Sequence, residues 1–555
     1  MNGFLSAARD PPTSMAPYRN RSQPLIWTLL WPIFLYFGIF CVLTYPAIIN
    51  VRSLVLTDTG DGLQNLWNLW WVHYAVVILH QSPWVTSFLH YPYGTSLIGH
   101  TLNPFNGFVA LALLPWLSLA GTYNILLIGS FVMTGWTTFL LTRRLGIAMN
   151  GSVLSGAIVT FSNYHFSHAQ GHLQLVSFEW VPVFFLFLIS GLEKPTYRNA
   201  VGAAVAFFLV LLCDYYYAFY ALLGAAILAT IFFIENRLKN WRLFPGPAAL
   251  FVFLSVLGSG PFVLGIRRLA RIGAAGIHSA FFYSMDLLAP FIPGGHWRFA
   301  FLTQSFWSRW TGNIHENSVY VGWSVIGLAS YGWFSATGKK NRSLTAWFSL
   351  MIIFFTLALG PFLQVGGHLF RFLPLPYGCI EKIVPVLRVS GCPVRMMSMV
   401  ILSCAIAAGA GFSYWQDRRP SLWAVRALLA FMAFEYWPQP LPATRLDVPG
   451  YIQTLAAAPP GGVVDAVSSP SWMLYYQTIH EKPLGLGYIS RIPNDVRMQD
   501  EQIIGLYRQG HLQELHEHYK FRYFVLPAVP AVRRLLQKAT ILFDDNHVIL
   551  ADLSA

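Results

Sequence analysis

Runs of about twenty apolar residues recur along the first four-fifths of this 555-residue chain, and that recurrence limits the fold more than any motif does. Each run matches the hydrocarbon thickness of a bilayer at a helical rise of about 1.5 Å per residue. One such run could be a core helix of a soluble protein; so many cannot. Composition agrees, with 55% hydrophobic and 11% charged residues, against roughly a quarter charged in soluble domains. The sequence therefore predicts an all-α polytopic membrane bundle with about eleven transmembrane helices. They fall near 26–48, 122–142, 150–166, 174–192, 200–214, 217–235, 247–265, 318–336, 344–363, 394–414 and 421–437.

The polar tail 1–25 carries Arg9, Arg19 and Arg21. The first apolar run is too long for a signal-peptide core and lacks a small-residue cleavage site, so it reads as a retained helix. Basic residues prefer the cytoplasmic side. With eleven crossings, Arg143–Arg144, Lys194 with Arg198, Arg237 with Lys239 and Arg242, Lys339–Lys340 with Arg342, and Arg418–Arg419 all lie there. Arg267, Arg268 and Arg271 are the exception. The N-terminus is then cytoplasmic and the C-terminus outside. This topology keeps residues 51–122 outside, although 63–80 and 103–119 are apolar. The first mixes Gln64, Asn65, Asn68, His73 and His80 with Trp67, Trp70 and Trp71, which suits interfacial helices in the first outer loop. The alternative, in which both segments span, leaves the remaining topology unchanged.

Three outer loops follow from this scheme, 50–121, 267–317 and 364–393, enclosed within a membrane region 26–437. After Trp437 a Pro-rich linker leads to soluble composition. Segments 462–467 and 521–526 read as strands and 500–520 as a helix, giving a small α/β extracytoplasmic domain over 438–555. The net charge of +13 sets orientation and contacts anionic lipid. No basic groove alternates with stacking aromatics, so no nucleic-acid partner is expected. The five cysteines lack metal spacing, and Cys379 and Cys392 share an outer loop.

Candidate chemistry gathers on the outer side. Thr57-Asp58-Thr59-Gly60-Asp61-Gly62-Leu63-Gln64 brings two carboxylates to the mouth of the bundle. Such a group can be a general base or a metal ligand; equally, Asp and Gly make turns and helix caps. His165, His168, His172, Gln174 and Glu179 form a second cluster. His168 and His172 would share a face on a continuous helix, although Gly171 interrupts it. They suit hydrogen bonding to a sugar or phosphate, an incomplete metal site, or helix capping. Glu179, an intramembrane carboxylate, should pair with a histidine. His100 and Asn103 open the second interfacial helix before Pro104, whose free N–H groups would suit phosphate; plain capping is the other reading. Arg388 and Arg395, orphans under the charge rule, can hold phosphate oxygens through two parallel donors, or snorkel to headgroups. Asp214 lies near the same mouth, and Arg298 and Arg309 are weaker candidates. Phosphate-loop, nucleophile-elbow, zinc-protease and dinucleotide signatures are absent from the sequence, which leaves a nucleotide-sugar enzyme without a nucleotide fold.

Gly60-Asp61-Gly62-Leu63-Gln64 followed by Trp67 and Trp70–Trp71 resembles the first outer loop of the GT-C superfamily of membrane glycosyltransferases. The likeness is to protein O-mannosyltransferases, dolichol-linked glucosyltransferases and the lipid A aminoarabinose transferase. The layout of nearly the whole chain shares it, though here the carboxylates stand three apart rather than adjacent or in Asp-any-Asp. The resemblance implies transfer of a sugar from a polyprenyl-phosphate-linked donor to an extracytoplasmic glycan, lipid or protein acceptor, with inversion. It implies Asp61 first, and Asp58 second, as base. Arg388, Arg395 and His100 would neutralise the leaving phosphate, while His168, His172 and Glu179 orient sugar or acceptor. No diffusible cofactor is required, and a divalent cation is compatible. Gln477, His480 and Tyr488 of the C-terminal domain would cap the cavity or hold the acceptor. The host membrane expected is the bacterial plasma membrane. A transporter or flippase of lipid-linked saccharides is the alternative; the paired halves with broken helices common in transporters are not evident in the sequence.

Overall fold

The computed structural model describes residues 25–235, 241–271, 278–338, 342–383 and 391–554. Each apolar run named above coincides with a helix, because a continuous apolar segment satisfies its backbone only within itself. Five helices are long and apolar enough to cross a membrane: Leu119–Arg144, Leu173–Glu193, Tyr215–Glu235, Pro245–Leu269 and Pro393–Gln416. Trp27–Leu43, Tyr197–Cys213 and Leu344–Ala358 are shorter apolar helices. The run expected over 150–166 stops early. Its helix, Met149–Thr160, ends where Ser162 begins a new one, Asn163–His168, by accepting from the His165 amide at 3.2 Å. Helix length alone therefore carries five crossings, and the count of eleven rests on charge and hydropathy.

Met397–Gln416 is the buried axis of the bundle, packed by Trp323–Gly338, Met149–Thr160 and Arg342–Ala358. Small residues allow that closeness. A Cβ at Gly411 would stand 2.0 Å from the Leu328 carbonyl oxygen, and Ser155 Oγ donates to the Ala405 carbonyl at 2.8 Å. Pro245–Leu269, in contrast, is mostly exposed along its apolar length, as a peripheral helix facing lipid would be.

The first-loop segment expected to lie in the interface does otherwise. Asp61–His73 is buried on every side between Pro104–Leu113 and Pro470–His480. Its polar groups bond to protein: Trp67 Nε1 donates to Gln477 Oε1 at 2.7 Å, Asn68 Nδ2 to the Thr101 carbonyl at 2.8 Å, and Gln64 Nε2 to the Tyr488 carbonyl at 2.9 Å. A helix with that many internal partners has no polar face to give to headgroups.

Beyond Trp437, strands Gly462–Asp465, Phe521–Pro527, Val548–Asp552 and Thr540–Asp544 lie side by side in that order. The first pair is parallel and the others antiparallel. The helix expected over 500–520 is two, Asn494–Arg508 and Leu512–Tyr519, because Gly510 adopts φ +77° between them. Val464, Phe524 and Ile549 help fill a separate small core. All five cysteines are free; Cys379 is exposed and Cys392 buried.

Candidate functional site

The two first-loop carboxylates separate into different jobs. Asp58 Oδ1 accepts from the amides of Gly60 at 3.0 Å and Gly62 at 2.9 Å, so it caps the turn that starts the helix. Burial pushes its carboxyl up, against those two amide bonds. Thr57 anchors the turn, its hydroxyl donating to the Gln170 carbonyl and accepting from Tyr123. Asp61, in the first helical turn, faces a cavity instead. Its Oδ2 lies 3.0 Å from His172 Nε2, and its Oδ1 accepts from the Tyr488 hydroxyl at 2.5 Å. Burial would raise its carboxyl, but the His172 hydrogen bond and charge, the Tyr488 hydroxyl and the Arg395 charge outweigh that and hold it at about 2.

His168 and His172 do not share a continuous helix. Asn163–His168 ends, the chain turns through Gly171, and His172 immediately precedes Leu173–Val176. Their rings still meet, centroids 5.5 Å apart. His168 is buried with Nε2 at 3.7 Å from Glu316 Oε2. Desolvation depresses it well below the ordinary imidazole range despite that carboxylate. Gln174 lines the cavity. Glu179 does not: it is buried at the start of Trp180–Glu193, and its Oε2 has no hydrogen-bond partner among the described residues. Among the described residues no histidine pairs with it: His165 bonds to the Thr160 and Val176 carbonyls, and His168 and His172 stand against Glu316 and Asp61.

Arg395 reaches the cavity already engaged. Its Nε lies 3.1 and 3.3 Å from the two Glu316 oxygens, Nη2 also donates to Oε1, and the guanidinium stacks over Tyr216 at 5.0 Å. The fork expected to hold phosphate is thus occupied by a carboxylate. Burial would raise the Glu316 carboxyl, but the Arg395 charge overrides it and holds it well below the usual range. Arg388 lies outside the described residues.

His100 and Asn103 also turn away from the cavity. His100 is buried, with Nε2 at 2.9 Å from Asn68 Oδ1 and Nδ1 accepting from the Ser490 amide at 3.2 Å. Burial pushes it down to about 3, so it is neutral and cannot serve as a phosphate counter-charge. Asn103 takes φ 47° and caps Pro104–Leu113, and its amide reaches Ser177 Oγ rather than open space. Asp214 caps the following turn through the Tyr216 and Tyr217 amides. Gln477 and His480 are buried packing groups; of the three C-terminal candidates only Tyr488 lines the cavity.

The cavity measures about 380 Å³ and is walled by segments far apart in sequence. Glu316, Tyr216, His278, Asn313 and Arg491 complete it and were not singled out from the sequence. One signal for Glu316 was available: it and Asp286 are the only carboxylates of loop 267–317, and an orphan arginine needs one. Among the described residues no group of three or more His, Cys, Asp or Glu is arranged to hold a metal ion. The walls can accept a proton at Asp61–His172 and offer one guanidinium edge, on Nη1 of Arg395, to an anion.

No curated protein sequence matches the chain. Among solved structures, a variant of arabinofuranosyltransferase AftD from mycobacteria aligns over 94% of this chain and 41% of its own, at 14% identity and TM-score 0.55. A second AftD structure aligns over 94% and 40%, at 15% identity and TM-score 0.52. The oligosaccharyltransferase of Archaeoglobus fulgidus aligns over 90% and 70%, at 12% identity and TM-score 0.49. The chain spans about two-fifths of the length of AftD. At these identities the likeness is one of fold alone, a membrane helical bundle shared with AftD over 94% of this chain. The sequence profile described as "Domain of unknown function (DUF6311)" matches residues 33–434, and the chain belongs to that family.

Proposed function

We propose that the chain is a membrane glycosyltransferase that moves a sugar from a polyprenyl-phosphate-linked donor to an extracytoplasmic acceptor, with inversion at C1. The observation that carries this reading is the Asp61 cavity. An ionised carboxylate, hydrogen-bonded to an imidazole, opens into a polar space beside a buried arginine, in a fold shared with an arabinofuranosyltransferase. A proton acceptor and an anion contact on one cavity are what displacement of a phosphate by a hydroxyl needs. Arg395 would meet the leaving phosphate through the edge that Glu316 leaves open. Asp58 holds the loop in place, so Asp61 is the acidic centre of the reaction.

The membrane region 26–437 crosses about eleven times in this proposal, with the N-terminus cytoplasmic and the α/β unit 438–555 outside, in the bacterial plasma membrane. Donor lipid, a glycan, lipid or protein acceptor, and membrane lipids are the partners. No diffusible cofactor enters the scheme, and a divalent cation beside Asp61 is compatible with it.

The test is sugar transfer by purified full-length protein in liposomes supplied with radiolabelled undecaprenyl-phosphate arabinose or mannose and envelope glycan acceptors. Release of undecaprenyl phosphate by the wild type, cut at least 100-fold in Asp61→Asn but little in Asp58→Asn, supports the reading. Full turnover in both variants removes Asp61 from the chemistry. Movement of labelled donor between leaflets without its consumption would replace a transferase with a flippase.

A further inference from the structure

Asp61 is poorly suited to take a proton itself. Both its oxygens are already engaged, Oδ1 accepting from the Tyr488 hydroxyl and Oδ2 standing 3.0 Å from His172 Nε2, although the side chain is 35% exposed to the cavity. A carboxylate that stays ionised to about pH 2 has little affinity for an acceptor's proton near neutrality. The imidazole bound to it is the opposite case. An ionised carboxylate can only accept, so the 3.0 Å contact at Nε2 requires the hydrogen of neutral His172 to sit on Nε2. Its lone pair is then on Nδ1. His172 lines the cavity, its side chain is 28% exposed, and its Nδ1 makes no hydrogen bond among the described residues. The backbone on either side is held, its amide donating to the His168 carbonyl at 2.8 Å and its carbonyl accepting from Leu175 at 2.9 Å. His168, the neighbouring candidate, is buried and turned toward Glu316.

We infer that His172 is the catalytic base, taking the acceptor's proton at Nδ1, and that Asp61 is the positioning residue that fixes its tautomer. This rests on the transferase reading above and departs from the role that the resemblance implies for Asp61. In the step, the acceptor O–H bond breaks and its proton passes to Nδ1. The oxygen's electron pair forms the new bond to sugar C1. The C1–O bond to phosphate breaks with its pair on the departing polyprenyl phosphate. Asp61 balances the imidazolium until Nδ1 gives the proton to water, the logic of carboxylate–histidine pairs in hydrolases. Tyr488 holds the second Asp61 oxygen and so keeps the carboxylate from rotating.

Charged and titratable groups face His172 from several elements. Asp58 and Asp61 come from the first loop and His168 from its own turn; His278, Glu316 and Arg395 face it across the cavity, and Tyr488 from the C-terminal segment.

Two measurements on the full chain in liposomes test the assignment. In the transfer assay with undecaprenyl-phosphate arabinose or mannose, His172→Gln should lower kcat about 10²- to 10⁴-fold with little change in KM. Added imidazole should restore part of the rate to His172→Gly. Asp61→Asn should keep a measurable rate, since the base remains. The second readout needs no substrate: the rate at which diethyl pyrocarbonate carbethoxylates His172 at one fixed pH, mapped by mass spectrometry, should change in Asp61→Asn, which removes the charge 3.0 Å from Nε2. His172→Gln within about threefold of wild type, beside an inactive Asp61→Asn, overturns the assignment and makes Asp61 the base. An unchanged carbethoxylation rate overturns the pairing itself. Absence of transfer by the wild type removes the transferase reading, and the base assignment with it, while the carbethoxylation result still separates that failure from a failure of the pair.

Discussion

Breaking the Glu316–Arg395 pair should be among the most damaging single changes to this protein. The two side chains are 6% and 4% exposed and joined by several N–H···O contacts. Glu316→Leu leaves a guanidinium buried against Tyr216 and Cys392 with no carboxylate, and Arg395→Met leaves a buried carboxylate facing a desolvated His168. Losing one partner of such a pair costs about 3–5 kcal/mol, whereas replacing both by apolar groups of similar size is often neutral or better. The double variant Glu316→Leu/Arg395→Met should therefore fall within about 1–2 kcal/mol of wild type, far from the sum of the singles. Equilibrium unfolding in mixed micelles with a denaturing detergent, followed by tryptophan fluorescence, measures all four corners of the cycle. The Glu316 carboxyl is held below its usual range, so its contribution is present above the unfolded value, near 4.3, and is lost as pH falls toward the folded one. The single-variant penalty should thus persist at pH 5. Singles costing under about 1 kcal/mol, with a double equal to their sum, would be the behaviour of a solvated surface pair and would refute the argument.

Gly171→Ala should cost about 1–3 kcal/mol, because its Cβ would stand 2.8 Å from Asp58 Oδ2; the same change displaces the turn carrying His172, so transfer should fall more than unfolding stability. Gln477→Leu strips the acceptor from Trp67 Nε1 and the donor from the Phe88 and Lys482 carbonyls; each group left bare costs about 1–3 kcal/mol, and limited proteolysis should cut the 438–449 linker sooner. Asp61 is held at about 2, so the stability it adds is fully present above about pH 4 and lost as pH falls toward 2. The melting difference between wild type and Asp61→Asn should shrink as pH falls below about 4. Asp58→Asn keeps an acceptor for the Gly60 and Gly62 amides, so it should cost only a few tenths of a kcal/mol, against about 1 for Asp58→Ala.

What the sequence made legible was what local chemistry determines. Apolar length marked the helices, and the break after Thr160 was the kind of boundary that hydropathy averages away while a Ser cap decides it. Asp61 was legible because Gly60 and Gly62 flank a carboxylate at the end of an apolar run. Arg395 was legible as a cation on the wrong side for the charge rule, but its partner was not. Glu316 lies 79 positions away and Tyr488 lies 427 from Asp61, and pairing at such separations leaves no periodicity or spacing to read. His100 and Asn103 were misjudged for a related reason. A polar residue near a helix start serves a ligand or its own backbone according to what packs over it, and here Ser490 and Ser177 do. The first-loop helix was misplaced in the interface because its partner, Pro470–His480, comes some four hundred residues later.

Those long-range contacts also bear on what the C-terminal segment is for. Three near-consecutive residues of it touch the first loop or the cavity: Tyr488 binds Asp61, Ser490 binds His100 and Thr101, and Arg491 donates to the Gly99 carbonyl at 2.8 Å. Behind them His90 meets both oxygens of Asp500, at 3.1 and 2.9 Å, with His90 itself in the left-handed region at φ 54°. That backbone conformation costs a non-glycine residue of order 1 kcal/mol, and it persists because the buried carboxylate contact offsets it. Trp67–Gln477 adds a third tie within the same wall. If the C-terminal sheet only decorated the bundle, these polar bonds would face solvent and any of them could be given up at little cost. Made to protein partners across the two regions, they instead hold the Tyr488 hydroxyl at 2.5 Å from Asp61, whose other oxygen stands 3.0 Å from His172. The acid–base geometry of the cavity is therefore a property of the two regions together, and the segment 488–491 acts as one of its walls.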